Sequence, residues 1–198
     1  YNLPCIAEKS LIVIEEIAGT LVQQMQNFGA LLLNKEETDK LRDVCLPQGM
    51  ANKQLVGKSP AALLQAAGIA VPLKTPRLLI ALVDACDKWV TSEQLMPMLP
   101  IVKVKDFDSA LTLALEVEEG LHHTAIMHSQ NVSRLNLAAR TLQTSIFVKN
   151  GPSYAGIGVG GEGFTTFTIA TPTGEGTTSA KTFARSRRCV LTSGFSIR

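Results

Sequence analysis

Apolar residues follow two alternating patterns along roughly the first 150 positions of the chain. Runs that are continuously apolar or rich in β-branched residues are typical of strands, and they predict strands at 10–16, 77–83, 99–105, 123–128 and 144–150. Segments with apolar residues at helical spacing predict helices at 18–28, 35–45, 59–69, 106–120 and 133–142. The segment 46–57 is predicted to be a loop with a short strand.

Two of these helices carry clear end signals. Ser59 can cap a helix that has Pro60 at its first position and stops at Gly68. Asp106 can cap a helix that is closed by Gly120. The apolar face predicted for this second helix consists of Ala110, Leu111, Ala114 and Leu115.

The alternation of strands and helices indicates an α/β fold. Helical connections between strands are right-handed crossovers, which build a largely parallel sheet with helices on both faces. From Gly151 onwards the chain is rich in glycine and threonine. This last part is predicted to be loop and tail, with one short strand within 187–196.

The composition is that of a globular, water-soluble protein. Of 198 residues 45% are hydrophobic, and 19 basic against 17 acidic residues leave a net charge of +2. This charge provides no field that would recruit nucleic acid or an anionic membrane. No apolar run reaches the roughly 18–20 residues that span a bilayer, and no signal peptide is expected. Four cysteines without a C-x-x-C pair argue against a disulfide framework and predict a reducing cytoplasm.

The segment GIGVGG at 156–161 matches the G-x-G-x-x-G pattern of dinucleotide-binding folds. That pattern binds pyrophosphate only where a strand precedes it and a helix opens at its third glycine. Here the sequence FTTFTIATPT follows, which is β-branched and aromatic and predicts no helix. We therefore expect a glycine-rich loop that closely approaches another backbone or a ligand.

Three histidines, His122, His123 and His128, lie near one another in the sequence. A metal site would need additional Cys, Asp or Glu ligands at suitable spacing, and none accompanies them, so no metal is expected. From the residues alone, one histidine before a strand is equally well an acid/base group or a structural histidine.

Cys5 differs from the other three cysteines. It follows Pro4 and precedes the first strand, so a turn would leave its sulfur exposed on a loop. An exposed thiol that ionises is a nucleophile, whereas the alternative for Cys5 is a small buried hydrophobe. Cys45 and Cys86 are interpreted as packing thiols, and Cys189 lies in the predicted last strand.

Four segments resemble the CoA-acylating aldehyde dehydrogenases. NLPCIAEKS at 2–10 resembles the nucleophile segment of that family, and 144–198 is similar to the C-terminal end of its propanediol-utilisation branch. EQLMP at 93–97 resembles the E-x-F-G-P segment, and GLHHT at 120–124 resembles the G-x-x-H-T segment. The resemblance runs along the whole chain and implies the α/β catalytic domain of the aldehyde dehydrogenase fold.

The resemblance implies roles for three residues. Cys5 would attack an aldehyde, and the thiohemiacetal would lose hydride to NAD and become a thioester that coenzyme A takes over. Glu93 would hold the nicotinamide ribose, although Leu95 and Met96 replace the aromatic residue and the glycine of the family pattern. His123 would lie near the thioester and act in proton transfer or in coenzyme A binding.

The resemblance also implies how the chain is organised. Residues 1–175 would form the nucleophile-bearing domain and 176–198 an oligomerisation strand and tail, with 188–193 as the edge for a homodimer or tetramer. The start at Tyr1 leads us to expect that the NAD-binding domain, with the second oxyanion donor, is missing and that the isolated chain is inactive. The expected location is the cytoplasm, where this branch is found in bacterial microcompartments.

The expected substrate is a short aliphatic aldehyde, with propionaldehyde favoured. Three alternatives remain open at this point. The aldehyde could be acetaldehyde, as in the ethanolamine-utilisation branch; water could resolve the thioester in place of coenzyme A; or the chain could be a non-catalytic α/β interaction module in which Cys5 has no chemical role.

Overall fold

The structure is a computed structural model that describes residues 2–162, 165–166, 168–170 and 176–192. The β-strands are Leu11–Ile14 (β1), Ala30–Leu32 (β2), Leu78–Leu82 (β3), Met98–Val104 (β4), Thr124–Met127 (β5), Ile146–Lys149 (β6), Ile169–Ala170 (β7) and Gly176–Thr177 (β8). The α-helices are Glu15–Asn27 (α1), Lys35–Cys45 (α2), Pro60–Ala66 (α3), Lys88–Thr91 (α4), Phe107–Glu118 (α5) and Val132–Leu142 (α6). Short 3₁₀ turns occupy Pro47–Gly49, Ser153–Ile157 and Ala180–Phe183.

Strands β1 to β6 run parallel in two sheets. The larger sheet has the order β1-β4-β3-β2, and β5 pairs with β6 in the smaller sheet. β7 and β8 form a short antiparallel pair. Parallel neighbours require crossover connections, which the helices between successive strands supply. The predicted α/β fold with a largely parallel sheet is confirmed.

Helices cover both faces of the larger sheet. Leu79 of β3 packs in a buried cluster with Leu41 of α2 and Leu63 of α3. The next residue, Ile80, packs in a separate cluster with Val22 of α1. Since successive side chains of a strand point to opposite faces, these two clusters lie on opposite sides of the sheet, as predicted.

The predicted helix caps are present. The Ser59 hydroxyl accepts a hydrogen bond from the amide of Ala62 at 3.3 Å, and the Asp106 carboxylate accepts one from the amide of Ser109 at 2.9 Å. The latter bond lowers the pKa of Asp106. Helix α5 ends at Glu118, and Gly120, two residues further on, has a φ of +73°, which suits a glycine at a helix end.

The predicted apolar face of α5 is wrong at Leu115, which is 41% exposed. Phe107 and Leu113 are the buried residues of this helix. Leu113 packs with Val102 of β4, and Val117 lies partly buried against the same cluster. The face that meets the sheet is therefore rotated relative to the one predicted, because the helix offers leucines on more than one side.

Three strand predictions need correction. The segment 46–57 contains turns and no strand, although a short strand was predicted there. Strand β2 was not predicted, because its three residues are too few to show a period. Residues 187–192, the described part of the strand predicted at 187–196, are not in a strand, since no described strand lies beside them to pair with. Positions 193–196 of that predicted strand lie outside the described residues. The predicted domain boundary between 175 and 176 adjoins residues 171–175, which also lie outside them.

Candidate active site

Cys5 lies in a tight turn that precedes β1. The amide of Ala7 donates to the carbonyl of Pro4 at 2.9 Å, so Cys5 and Ile6 are the two central residues of the turn. Ile6 is buried, whereas Cys5 is exposed, which confirms the predicted exposure of the sulfur. Within the described ranges the amide of Cys5 has no hydrogen-bond acceptor. It is therefore available to an oxygen atom bound beside the thiol.

An apolar pocket of about 280 Å³ opens beside this turn. Its lining residues are Leu3, Pro4, Cys5, Ile6, Ile157 and Ile169. Beneath it, Ile6 and Ile157 belong to a buried cluster with Ile146 and Val148 of β6. The smaller parallel sheet thus supports the pocket floor, and the lining suits a short aliphatic group.

Glu8 ties the turn to the 3₁₀ segment that contains Ile157. Its carboxylate accepts hydrogen bonds from the amide of Ser153 at 3.0 Å and from the hydroxyl of Ser153 at 3.1 Å. Ser153 is fully buried, so these bonds satisfy polar groups that water does not reach. Two walls of the pocket are in this way held together by an exposed glutamate and a buried serine.

Lys9 connects the nucleophile turn to the loop that carries Glu93. Its Nζ donates to the carbonyl of Asn2 at 2.7 Å, and its own carbonyl accepts from Gln94 Nε2 at 3.2 Å. Burial lowers the pKa of Lys9, and the charges of Glu93 and Cys5 act in the opposite direction. These interactions bring Cys5, Lys9 and Glu93 into one electrostatic neighbourhood.

The loop between α4 and β4 alternates exposed and buried side chains. Glu93 is exposed, Gln94 is fully buried, and Met96 is fully buried in the core beside Trp89. Leu95 is half-buried and has a φ of +54°, which is uncommon for residues other than glycine. Of the two residues that depart from the family pattern, Met96 packs in the core, and only Leu95 lies near the surface beside Glu93.

The imidazole of His123 is half-buried at the start of β5. Its Nδ1 shares a hydrogen bond with Thr124 Oγ1 at 2.7 Å, and its amide donates to the Glu118 carboxylate at 3.2 Å. Its neighbour His122 has a φ of +51°, and His122 Nδ1 lies 3.0 Å from the carbonyl of Leu142. His122 therefore joins the loop to α6.

The structure does not join His123 directly to the other predicted site residues. Among the described residues no hydrogen bond links His123 to Cys5 or to Glu93. The connection runs through β6, because the amide of Ile146 donates to the carbonyl of His123 at 3.1 Å and Ile146 packs in the cluster of Ile6.

The glycine-rich loop approaches other backbone closely, as predicted. A Cβ on Gly161 would lie 2.5 Å from the carbonyl oxygen of Ala155, and a Cβ on Gly158, whose φ is +90°, would lie 2.9 Å from Thr165 Cα. A 3₁₀ turn leads into the loop, and the described positions 165–166 and 168–170 contain no helix. The loop therefore lacks the strand and helix of a dinucleotide-binding motif.

The remaining cysteines lie in different environments. Cys45 is buried in the core, which raises its pKa from 9.0 to about 12 and confirms a packing thiol. For Cys86 that interpretation is wrong: it is exposed, on a turn closed by a hydrogen bond from the amide of Asp87 to the carbonyl of Asp84 at 3.0 Å. Cys189 is exposed and lies outside any described strand.

The described ranges lack two kinds of feature. They contain no group of three or more His, Cys, Asp or Glu side chains placed to hold a metal ion. Among the described helices none is long and apolar enough to cross a membrane.

Several site residues have no signal in the sequence. Ser153 and Gln94 reach the nucleophile segment across 145 and 85 positions respectively. Ile157 and Ile169 line the pocket although nothing in their surroundings distinguishes them from core residues. Only the tertiary fold brings these four residues to the nucleophile segment.

Comparison with known proteins identifies the class. The chain superposes on Rhodopseudomonas palustris propionaldehyde dehydrogenase, solved with bound CoA and an acylated cysteine, with a TM-score of 0.89, 46% identity and coverage of 96% of this chain and 44% of that one. For a propionaldehyde dehydrogenase from a fucose utilisation microcompartment of Clostridium phytofermentans, the TM-score is 0.90 and the identity 43%, over 100% of this chain and 45% of that one. The chain thus has the fold of an acylating aldehyde dehydrogenase.

Sequence relatives define the match more narrowly. The chain is 86% identical over its full length to propanal dehydrogenase (CoA-propanoylating) of Salmonella typhimurium, of which it covers 43%. It is 44% identical to the acetylating acetaldehyde dehydrogenase of the same organism over 99% of this chain and 43% of that one. The chain therefore belongs to the CoA-acylating aldehyde dehydrogenases, as its resemblance to them predicts, and it spans less than half the length of these relatives. No family model matches the chain.

Proposed function

We propose that the protein containing this chain is a NAD-dependent, CoA-acylating aldehyde dehydrogenase that converts propionaldehyde to propionyl-CoA. The observation that carries the proposal is the exposed Cys5 thiol on a closed turn beside an apolar pocket of about 280 Å³. The acylated cysteine and bound CoA of the Rhodopseudomonas palustris relative support it. Because the chain spans 43% of the length of the Salmonella propanal dehydrogenase, the activity is proposed for the full-length protein.

Cys5 acts as the covalent nucleophile. Its thiolate adds to the aldehyde carbonyl carbon, and the negative charge that forms on the oxygen accepts a hydrogen bond from the Cys5 amide. NAD, when bound, accepts the hydride from that carbon. The thiolate of coenzyme A then attacks the Cys5 thioester, the bond from carbon to the Cys5 sulfur breaks, and acyl-CoA leaves with the Cys5 thiolate restored.

Glu93 fits a role in holding the nicotinamide ribose. Its carboxylate is exposed and offers acceptors for ribose hydroxyl groups. The buried neighbour Gln94 fixes the loop, and Lys9 places a positive charge near both this carboxylate and Cys5. Met96 does not contribute to this surface, since its side chain is fully buried in the core.

His123 is proposed to take the proton from the coenzyme A thiol. Thr124 occupies its Nδ1, which leaves Nε2 without a partner among the described residues. Solved variants of the Clostridium phytofermentans relative replace one cysteine and one histidine by alanine, 118 positions apart in that protein. Cys5 and His123 have the same spacing, which supports pairing them in one site.

Propionaldehyde is preferred over acetaldehyde as the substrate. The identity of 86% to a propanal dehydrogenase against 44% to an acetaldehyde dehydrogenase supports this choice. The pocket lining is aliphatic and offers no polar side chain except the Cys5 thiol. A longer alkyl chain would bury more apolar surface there.

The assembly is also part of the proposal. Residues 185–192 are exposed and pair with no other strand within the described ranges, so the described part of the predicted 188–193 edge offers backbone groups to a strand of a second subunit. We propose a homo-oligomer formed in this way, in the cytoplasm and in a bacterial microcompartment. The microcompartment origin of the Clostridium phytofermentans relative supports the location.

The test measures NADH formation by the full-length protein from propionaldehyde and from acetaldehyde, with and without coenzyme A. We expect CoA-dependent activity that favours propionaldehyde, is lost in Cys5→Ser and is kept in Cys86→Ser, which alters an exposed thiol that does not line the pocket. Equal rates without coenzyme A would indicate a hydrolytic enzyme. Activity that survives Cys5→Ser would make Cys5 a structural thiol.

A further inference from the structure

The carboxamide of Gln94 is a fully buried polar group whose chemistry the proposed reaction does not use. Its Nε2 donates to two main-chain carbonyls, that of Lys9 at 3.2 Å and that of Trp89 in α4. Lys9 lies two residues after the nucleophile turn, which ends at Ala7, and Gln94 directly follows Glu93. Within the described ranges this is the hydrogen bond that joins the nucleophile segment to the 92–97 loop.

Fold stability alone does not account for a glutamine at this position. Gln94 Oε1 is buried and has no hydrogen-bond partner among the described residues. A buried polar atom without a partner costs free energy, and an apolar side chain of similar size would not carry that cost. What glutamine supplies instead is a pair of N–H donors directed at two segments that are far apart in the sequence.

We propose that Gln94 is a positioning residue that fixes the Glu93 loop against the nucleophile segment and so sets the Cys5 thiol relative to the Glu93 carboxylate. The inference rests on the proposed function, in which Cys5 holds the substrate carbon and Glu93 holds the nicotinamide ribose. Hydride transfer requires reacting atoms roughly 3–3.5 Å apart, and a shift of about 1 Å can cost about a hundredfold in rate. One buried side chain that spans both segments controls this spacing.

Gln94→Met is the informative variant. Methionine has a similar length, removes both donors together with the unpaired oxygen, and leaves no large cavity. The matched control is Thr38→Val, because Thr38 is also buried and its hydroxyl donates to the carbonyl of Asn34 at 2.7 Å. Thr38 also lies beside Trp89, because Trp89 Nε1 is 3.5 Å from the carbonyl oxygen of Thr38. Among the described residues, Thr38 makes no hydrogen bond to the nucleophile segment.

The kinetic test uses the full-length protein. Gln94→Met is expected to lower kcat for CoA-dependent NADH formation about tenfold and to raise the KM for NAD several-fold. Thr38→Val, at a comparable loss in Tm, should change both by less than about twofold. In a protein that already carries Glu93→Gln, Gln94→Met should add little to the loss of activity, since both substitutions act on the contact between Glu93 and the nicotinamide ribose. Unchanged kinetics of Gln94→Met, or fully additive losses in the double variant, would overturn the proposal.

Hydrogen exchange gives a second readout that does not depend on activity. Gln94→Met should speed exchange of backbone amides in both 2–10 and 92–97, whereas Thr38→Val should leave both segments as they are. Faster exchange confined to 92–97 would refute the coupling. If the protein without any substitution showed no CoA-dependent activity, the proposed function would be refuted. The exchange rates would still decide whether Gln94 joins the two segments.

Discussion

At the scale of single residues, Cys5 and Cys45 show how strongly burial changes a thiol. Cys5 is exposed on a turn with Lys9 nearby, whereas Cys45 is buried in the core formed by α2, α3 and the larger sheet. Burial raises the pKa of Cys45 to about 12, because a charged thiolate is poorly solvated there. Cys45 therefore stays neutral and contributes to packing.

The raised pKa of Cys45 predicts a loss of stability in alkaline solution. Above 9.0 the thiol ionises in the unfolded chain but not in the folded one, so the unfolded state binds fewer protons and the free energy of unfolding falls as pH rises towards about 12. The slope from this group is about 1.4 kcal/mol per pH unit at most. Urea unfolding of the unchanged chain and of Cys45→Ala, measured between pH 9 and about 12, gives the contribution of this thiol as the difference between their free energies of unfolding. If the two free energies changed with pH in parallel, the prediction would be contradicted.

Glycine substitutions test the packing beneath the pocket. A Cβ on Gly156 would overlap with Cγ2 of Ile146 in the cluster below Cys5, so Gly156→Ala should lower the free energy of unfolding by about 1–3 kcal/mol. A Cβ on Gly19 in α1 would have nothing within 4 Å, so Gly19→Ala should stabilise by about 0.5–1 kcal/mol. Chemical denaturation measures both, and equal effects at the two positions would refute this packing argument.

Individual site residues were predictable only where local chemistry marks them. Pro4 before Cys5 indicates a turn and an exposed sulfur, and the structure confirms that exposure. Cys86 was misassigned, because a turn rather than its own sequence context exposes its side chain. Gln94 and Ser153 could not be predicted, since their partners lie in distant segments.

At the scale of elements, end signals determine the helices more reliably than periodicity determines their buried faces. Helix α2 begins with a capping box in which Asn34 Oδ1 accepts from the amide of Glu37 at 2.9 Å and the Glu37 carboxylate accepts from the amide of Asn34 at 2.9 Å. The 35–45 prediction for this helix matches the structure at both ends. By contrast, Leu115 was placed on the wrong face of α5, because its contacts depend on the sheet.

The cap of α2 gives a quantitative prediction. Asn34→Ala should lower the free energy of unfolding by about 1 kcal/mol, while Asn34→Gly should lower it by only a few tenths of that. The difference arises because glycine exposes the same amide groups to water, whereas alanine neither accepts their bonds nor leaves them solvated. Urea denaturation of the two variants measures it, and equal losses would count against a capping role for Asn34.

At the scale of the whole molecule, one parallel sheet and its helices present a nucleophile turn at the edge of a second, smaller sheet. The alternation of periods was enough to predict the α/β fold, and the end motifs were enough to indicate the family. No strand forms at 187–192, the described part of the strand predicted at 187–196, because a strand needs a neighbour that the described part of the chain does not provide. Whether a segment pairs as a β-strand depends on which other segments the tertiary structure places beside it, and the local sequence does not contain that information.

The most direct measurement is to incubate the full-length protein with propionyl-CoA and to locate the transferred acyl group by mass spectrometry after digestion with trypsin. Each cysteine of this chain falls in a different peptide, and these peptides end at Lys9, Lys53, Lys88 and Arg198. We predict a propionyl thioester on the peptide ending at Lys9 alone, removed by free coenzyme A and absent in Cys5→Ser. An acyl group on another peptide, or none on the Cys5 peptide of an active protein, would contradict the assignment of Cys5 as the nucleophile.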